Sequence, residues 1–229
     1  MTKIILSLEK KEHFLIAEKV QDYVDGWKVN HIGWDIVAQS RFDEWAKLNN
    51  FALRNTKEVF FDCKLWDTPN TVKTVVEKII ERGATMTTVC THNNDKVFKE
   101  LEQYRNDIKL LGVTFLTSWT PQDQHQICRQ MPMEMWRDHL QRIEGFYGTI
   151  CSPKDVTDID YIDFENLFKR VCPGITFGNN NSGQVRTTTP KQAQDLGADY
   201  IVIGRAVTES QEPIQTIKEI HKTLVSSSS

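Results

Sequence analysis

The chain lacks the ligand spacings of structural and catalytic zinc: among its five cysteines and six histidines there is no C-x-x-C and no H-E-x-x-H. No metal site is implied. The cysteines (Cys63, Cys90, Cys128, Cys151, Cys172) stand apart, several of them in apolar, strand-like surroundings. They read as buried thiols in a reducing compartment rather than as a disulfide framework. No long run of one charge occurs, and the formal net charge is −3 over 229 residues. That excludes a nucleic-acid surface built on bulk positive charge, although a few local groups could still hold a small anion. Long hydrophobic runs are missing as well. The apolar stretch within Met1–Leu8 is too short for a signal peptide or a membrane span, so a cytoplasmic protein with no membrane partner is expected.

What is present is material for a core. Hydrophobic residues make up 39% of the chain, enough for one substantial core at this length. Strand-like runs recur at Ile4–Leu8, Gly26–Asn30, Val59–Cys63, Met86–Thr91, Leu110–Thr117, Gly148–Cys151, a weaker one ending near Cys172, and Tyr200–Ile203. Between them Phe14–Val24, Val72–Arg82, Met133–Ile143 and Lys191–Leu196 carry apolar residues at three- and four-residue spacing, the mark of amphipathic helices. Alternating strand and helix implies a parallel sheet, and eight such units in this length imply a closed (β/α)₈ TIM barrel. A single domain over residues 1–225 is expected, with 226–229 a disordered polar tail. The alternation is the only repeat.

A barrel carries its chemistry where strands end and loops begin, at the C-terminal face. Several charged or polar residues fall there: Glu9 after the first strand, Lys28 near the end of the second, Asp62 and Lys64 at the third, His92 at the fourth, Thr117 and Ser118 at the fifth, Gly204 and Arg205 at the eighth. On a barrel they converge on one rim. His92 reads equally well as a satisfied core histidine.

The densest of these is the stretch from Val59 to Val72, V-F-F-D-C-K-L-W-D-T-P-N-T-V. Its first half is β-branched and aromatic, and Pro69 with Asn70 marks a turn. Because strand side chains alternate faces, Asp62 and Lys64 share one face and can touch. Asp67 falls in the loop beyond, within reach of the same place or of a neighbouring subunit. An arbitrary D-x-K is most often a strand-end ion pair facing solvent. The long polar loop from Pro173 to Arg186 follows the seventh strand, where barrels commonly bind phosphate together with the loop after the eighth. Arg205 offers a planar fork of donors suited to a phosphate. A surface insertion and a solvated helix-start residue are the plainer readings of these two features.

The run D-x-K-x-x-D followed by T-P-N-T-V resembles the signature of the orotidine 5′-phosphate decarboxylase family, D-x-K-x-x-D-[IV]-P-x-T-V, with Thr68 where the family has Ile or Val. A second block is similar to the family's P-G-I, D-Q-x-R-x-x-T-P and G-A-D-Y-I-V-I-G-R run: Pro173–Ile175, Gly183–Pro190 and Gly197–Arg205. Weaker likenesses fall in order between them, at Trp27–Val29, Leu116–Ser118 and Gly145–Ser152. The resemblance implies roles. Lys64 would donate a proton to C6 of the pyrimidine, Asp62 would face the substrate carboxylate, and Lys28 would complete the charged array and touch the ribose. Asp67 and Thr71 would reach into the site of the other subunit of a homodimer. Thr117 would bind the pyrimidine edge, and Gln184, Gly204 and Arg205 would hold the phosphate under a closing loop at residues 178–189. No cofactor is implied.

Departures from the family pattern accompany these matches. Glu9 stands where the family has an Asp that contacts the ribose, and Thr176 where bacterial members often have Arg. His92-Asn93-Asn94-Asp95 replaces H-A-x-x-G, and Asn30-His31 replaces a glycine and apolar pair. Two other readings stay open. Sugar-phosphate decarboxylases and aldolases of the same superfamily also use a D-x-K strand end, generally with magnesium, and lack the T-P-N-T-V continuation. A nucleotide-binding relative without catalysis is the third.

Overall fold

The computed structural model describes residues 1–30, 43–129, 132–178 and 187–225. Eight parallel strands close into a barrel in sequence order: β1 Lys3–Leu8, β2 Gly26–Val29, β3 Glu58–Leu65, β4 Met86–Cys90, β5 Lys109–Val113, β6 Gly148–Ile150, β7 Lys169–Cys172 and β8 Tyr200–Ile203. The described helices are α1 His13–Val20, α2 Asp43–Arg54, α3 Pro69–Glu81, α4 Asp95–Leu101, α5 Pro121–Cys128, α6 Pro132–Arg142, α7 Val156–Ile162, α8 Pro190–Asp195, α9 Arg205–Thr208 and α10 Pro213–Val225. The barrel expected from the alternation is present. None of the described helices is long and apolar enough to cross a membrane.

The alternation of faces along each strand divides the core in two. Ile4, Leu6 and Leu8 of β1 pack with Phe14 and Ala17 of α1 in a layer that continues around the barrel under the helices. Ile5, Phe60, Met86, Leu111, Val171, Tyr200 and Val202 form a second, smaller cluster, which fills the lumen from alternate residues of the same strands. The helices follow from their sequences. In α3, Pro69 takes the first helical position, where its missing N–H costs nothing, and Val72, Val76 and Ile79 bury one face. Arg82 and Gly83, the latter at φ 84°, end it.

The inner face of β3 reads Glu58, Phe60, Asp62 from bottom to top. Its lowest member closes the barrel floor. Buried Glu58 is ion-paired with Lys109, accepts a bond from Thr85 Oγ1 at 2.8 Å, and lies near Tyr200, whose hydroxyl is 2.7 Å from that of Tyr147. The floor is the N-terminal face of the barrel, opposite the loops that carry chemistry, so this charge balance serves stability.

Some boundaries differ from the sequence reading. β3 runs on through Lys64 to Leu65 rather than ending at Cys63, because its upper half is held by the Thr88 side chain of β4. β5 stops at Val113, not Thr117: Thr114 turns its hydroxyl to His139 and the chain then enters a turn closed by Trp119 N–H to Leu116 O at 2.9 Å. The expected tail at 226–229 lies outside the described residues.

Candidate active site

Asp62 is the centre of the upper rim. It points inward from β3 with only 11% of its side chain exposed, and Oδ2 lies 3.1 Å from Lys28 Nζ and 2.8 Å from Lys64 Nζ. Thr88 Oγ1 donates to the other oxygen, Oδ1, at 2.8 Å. Burial alone would raise the carboxyl pKa, but the two ammonium groups and the hydrogen bonds from Lys64 and Thr88 outweigh it and bring it down to about 2. Asp62 is therefore ionised throughout the neutral range, flanked by two cations.

The partners come from neighbouring strands. Lys28 reaches in from β2, where it pairs with Ser7 on one side and Phe60 on the other. Its side chain is nearly as sheltered as that of Asp62, at 12% exposure, whereas Lys64 is 42% exposed and open to the mouth of the barrel. Lys64 adopts φ 46°, in the left-handed region that side chains other than glycine seldom enter.

A small cavity of about 110 Å³ continues from this cluster toward the loops after β7 and β8. Ser7, Glu9, Lys28, Gly174, Gly204 and Arg205 line it. Gly174 has φ 81°, a turn that lets the chain after Pro173 bend across the opening. Lys28 is thus shared between the charged cluster and the cavity. Glu9 is placed by its own backbone: its N–H donates to His13 Nδ1 at 3.1 Å. His13 has its pKa lowered, first by burial and then by Lys10, which favours the neutral ring that can accept this bond.

Beyond β3 the chain is clamped from below by Asn93. Its Nδ2 donates to Leu65 O and to Cys90 O, both at 2.8 Å, and its Oδ1 accepts the Asp67 N–H at 3.3 Å. Arg142 of α6 holds Asn93 in turn, donating to Asn93 O at 2.6 Å and Thr91 O at 2.9 Å. Asp67 and Thr71 are exposed on the loop and first turn of α3. Asp67 Oδ1 accepts from the Thr68 N–H at 2.6 Å, and the Thr68 and Thr71 hydroxyls are 3.0 Å apart.

The structure therefore brings Asp62, Lys64 and Lys28 together, and links them through Lys28 to Glu9, Gly204 and Arg205. Thr117 lies in the turn after β5, and Gln184 lies outside the described residues, as do His31 and most of the 178–189 loop. His92 is exposed, with Nε2 3.0 Å from Thr114 O, so it is not a core residue. Sequence reasoning assigned no role to Thr88, Asn93, Ser7 or His13. A signal existed for Thr88: in phase with Met86 it faces the lumen, where a lone hydroxyl among hydrophobic residues needs a partner.

The sequence profile of the orotidine 5′-phosphate decarboxylase / HUMPS family matches residues 3–220. The chain belongs to this family. Among curated relatives, orotidine 5′-phosphate decarboxylase of Haemophilus ducreyi is 37% identical over 176 residues, 73% of this chain and 76% of that protein. The Wolbachia pipientis decarboxylase is 36% identical over 171 residues, 72% of this chain and 75% of its own. In three dimensions the solved orotidine 5′-phosphate decarboxylase of Lactobacillus acidophilus aligns with a TM-score of 0.75 at 25% identity, covering 98% of this chain and 99% of that one. The enzyme of Methanocaldococcus jannaschii, solved with the inhibitor BMP, aligns at 0.71 with 19% identity over 98% of this chain and 99% of that one, a likeness of fold. In this member Lys28 of β2 and Asp62 and Lys64 of β3 form the charged cluster, and Glu9 stands at the edge of the cavity.

Proposed function

We propose that this chain decarboxylates orotidine 5′-phosphate to UMP, the last step in making the pyrimidine nucleotide, without a cofactor. The observation that carries the reading is Asp62 held between Lys28 and Lys64 at the top of the barrel, with Lys28 also facing the Gly204–Arg205 cavity. The bond between C6 and its carboxylate breaks, CO₂ departs, and the electron pair left at C6 takes a proton from the Lys64 ammonium. Water then returns a proton to Lys64.

The pair at C6 has no adjacent carbonyl to delocalise it, so stabilisation falls to charge placed beforehand. Lys64 is cationic where negative charge develops, and it is also the general acid. Asp62 faces the substrate carboxylate and keeps both lysines fixed. Catalysis of very slow reactions can require barrier reductions on the order of 20 kcal/mol, more than one lysine supplies. Binding of the distant phosphate by Gly204 and Arg205, with Gln184 outside the described residues, furnishes the remainder by holding the substrate in place. Glu9 and Thr117 contact ribose and pyrimidine. Asp67 and Thr71 belong to the site of the second subunit of a homodimer, in keeping with their exposure in the loop after β3 and the first turn of α3. The cytoplasm supplies both substrate and reducing conditions for the free thiols.

The test is loss of the ultraviolet absorbance of orotidine 5′-phosphate in EDTA-containing buffer, by the parent and by Lys64→Ala. Turnover by the parent alone supports the reaction, its independence of metal and the proton donor together. A folded parent that turns over only when magnesium and a sugar phosphate are supplied would replace this reading with the aldolase-like one.

A further inference from the structure

Between Phe61 and Leu65 β3 advances four residues, while its partner β4 advances two, from Thr87 to Val89. Asp62, Cys63 and Lys64 therefore lie opposite the single residue Thr88. Such an irregularity leaves backbone groups without ladder partners and re-aims the side chains around it. The orphaned group here is the Lys64 N–H, and it donates to Thr88 Oγ1 at 2.8 Å. The same hydroxyl gives its one proton to Asp62 Oδ1, also at 2.8 Å. One donor and one acceptor on a single atom are what a hydroxyl offers and a methyl does not. Thr88 is fully buried, at 0% exposure, so bulk water does not stand in for it.

We infer that Thr88 is a positioning residue for the reacting pair: its hydroxyl holds the Lys64 backbone in its left-handed conformation and fixes the Asp62 carboxylate so that Oδ2 meets both ammonium groups. The inference rests on the reading of Asp62 and Lys64 as the groups that act on the substrate. Thr88 touches neither substrate nor reacting atoms. It acts by tying one carboxylate oxygen of residue 62 to the main chain of residue 64, so that the two charged groups move as one body. A rotation of the carboxylate would break the contact to Lys28, Lys64 or both, and a relaxed Lys64 would carry its ammonium away from C6.

Thr88→Val keeps the shape and removes the hydroxyl; Thr88→Ser keeps the hydroxyl and removes the methyl. The experiment measures kcat and KM with orotidine 5′-phosphate for both, beside the parent and Lys64→Ala, and follows amide exchange of Lys64 by NMR. Expected for Thr88→Val is a kcat lower by about 10- to 100-fold, the size of a lost hydrogen bond to a charged group, with KM within about threefold. Lys64 exchange should accelerate while that of Phe61 stays as in the parent. Thr88→Ser should restore both readouts to within about threefold of the parent. Parent-like kcat and Lys64 exchange in Thr88→Val would overturn the inference, as would a Thr88→Ser variant as impaired as Thr88→Val, since the loss would then belong to packing. Should Thr88→Val not fold, Thr88→Ala takes its place against the same serine variant. A parent without turnover would sink the proposed function alone, because the exchange measurement still decides whether the hydroxyl holds Lys64.

Discussion

Lys28 Nζ lies 3.1 Å from Asp62 Oδ2, and the same lysine lines the cavity that Gly204 and Arg205 bound. One cation therefore serves two places: it neutralises the buried carboxylate and reaches toward the position proposed for ribose and phosphate. Lys64, more exposed and bound to the same carboxylate oxygen, serves one.

That difference predicts different kinetics for the two lysines. Lys64→Ala should lower kcat by at least about 10³-fold, the loss of a general acid together with its charge, with KM changed by less than about fivefold. Lys28→Ala should lower kcat and raise KM, each by about tenfold or more, since it removes an interaction felt in both the ground state and the transition state. It should also cost on the order of 3 kcal/mol in stability, because Asp62 loses a sheltered partner. Steady-state kinetics and urea unfolding of the two variants check both statements; identical kinetic effects would contradict the division of roles.

Arg205 follows β8 as the first residue of α9, at the edge of the cavity. If phosphate binding energy is realised in the transition state, Arg205→Ala should reduce kcat by about tenfold as well as raise KM by about 100-fold. Adding inorganic phosphite to a substrate lacking the phosphate would restore part of the parent's rate and little of the variant's. A raised KM with kcat untouched would mean that Arg205 binds and does nothing more.

The barrel was legible because its evidence is periodic. Eight apolar runs separated by amphipathic segments leave few ways to close a parallel sheet; Asp62 and Lys64 do touch, as the period of two implies, although the ladder shifts register there and Lys64 is left-handed. Legibility failed where position depends on a neighbouring strand. The extension of β3 through Lys64 rests on the Thr88 hydroxyl, and the course of Leu65–Asp67 rests on Asn93, residues more than twenty positions away. Thr117 reads as a strand end because Leu110–Thr117 is mostly apolar and β-branched. The strand in fact stops at Val113, where Thr114 and Thr91 turn toward the buried ring of His139. No local propensity encodes such a bond.

His139 supplies a pH prediction. It is fully buried among hydroxyls, with Nε2 2.6 Å from Thr149 Oγ1 and Nδ1 3.2 Å from Thr91 Oγ1, and burial, aided by the nearby His92, brings its pKa down to about 3. Between pH 6.5 and 3 the unfolded chain binds a proton at this residue that the folded chain refuses. Stability from this group is thus complete above pH 6.5 and declines as pH falls, by on the order of 3 kcal/mol at pH 4.5. Asp62 adds a further loss only below its unfolded value of 3.8. Urea midpoints measured from pH 7.5 to 4.5 should fall for the parent and fall less steeply for His139→Gln. Equal slopes would show that the imidazole is protonated in the folded protein.

The exposed loop that follows Lys64 yields the last prediction. Asp67 is solvent-facing in one chain, its carboxylate occupied by the Thr68 N–H, while Asn93 fixes its backbone so that the side chain projects from the rim. If it completes the site of a second subunit, Lys64→Ala and Asp67→Ala are defects of different subunits at any one site. Each variant alone should be nearly inactive. Unfolded, mixed in equal amounts and refolded together, they should regain activity, because a mixed dimer has one site with both residues intact and one with neither. Random pairing makes half the dimers mixed, so about one quarter of the parent's activity is expected. Mixtures no more active than their components, from a sample shown by sedimentation to contain mixed dimers, would place Asp67 and Lys64 in the same subunit's site instead.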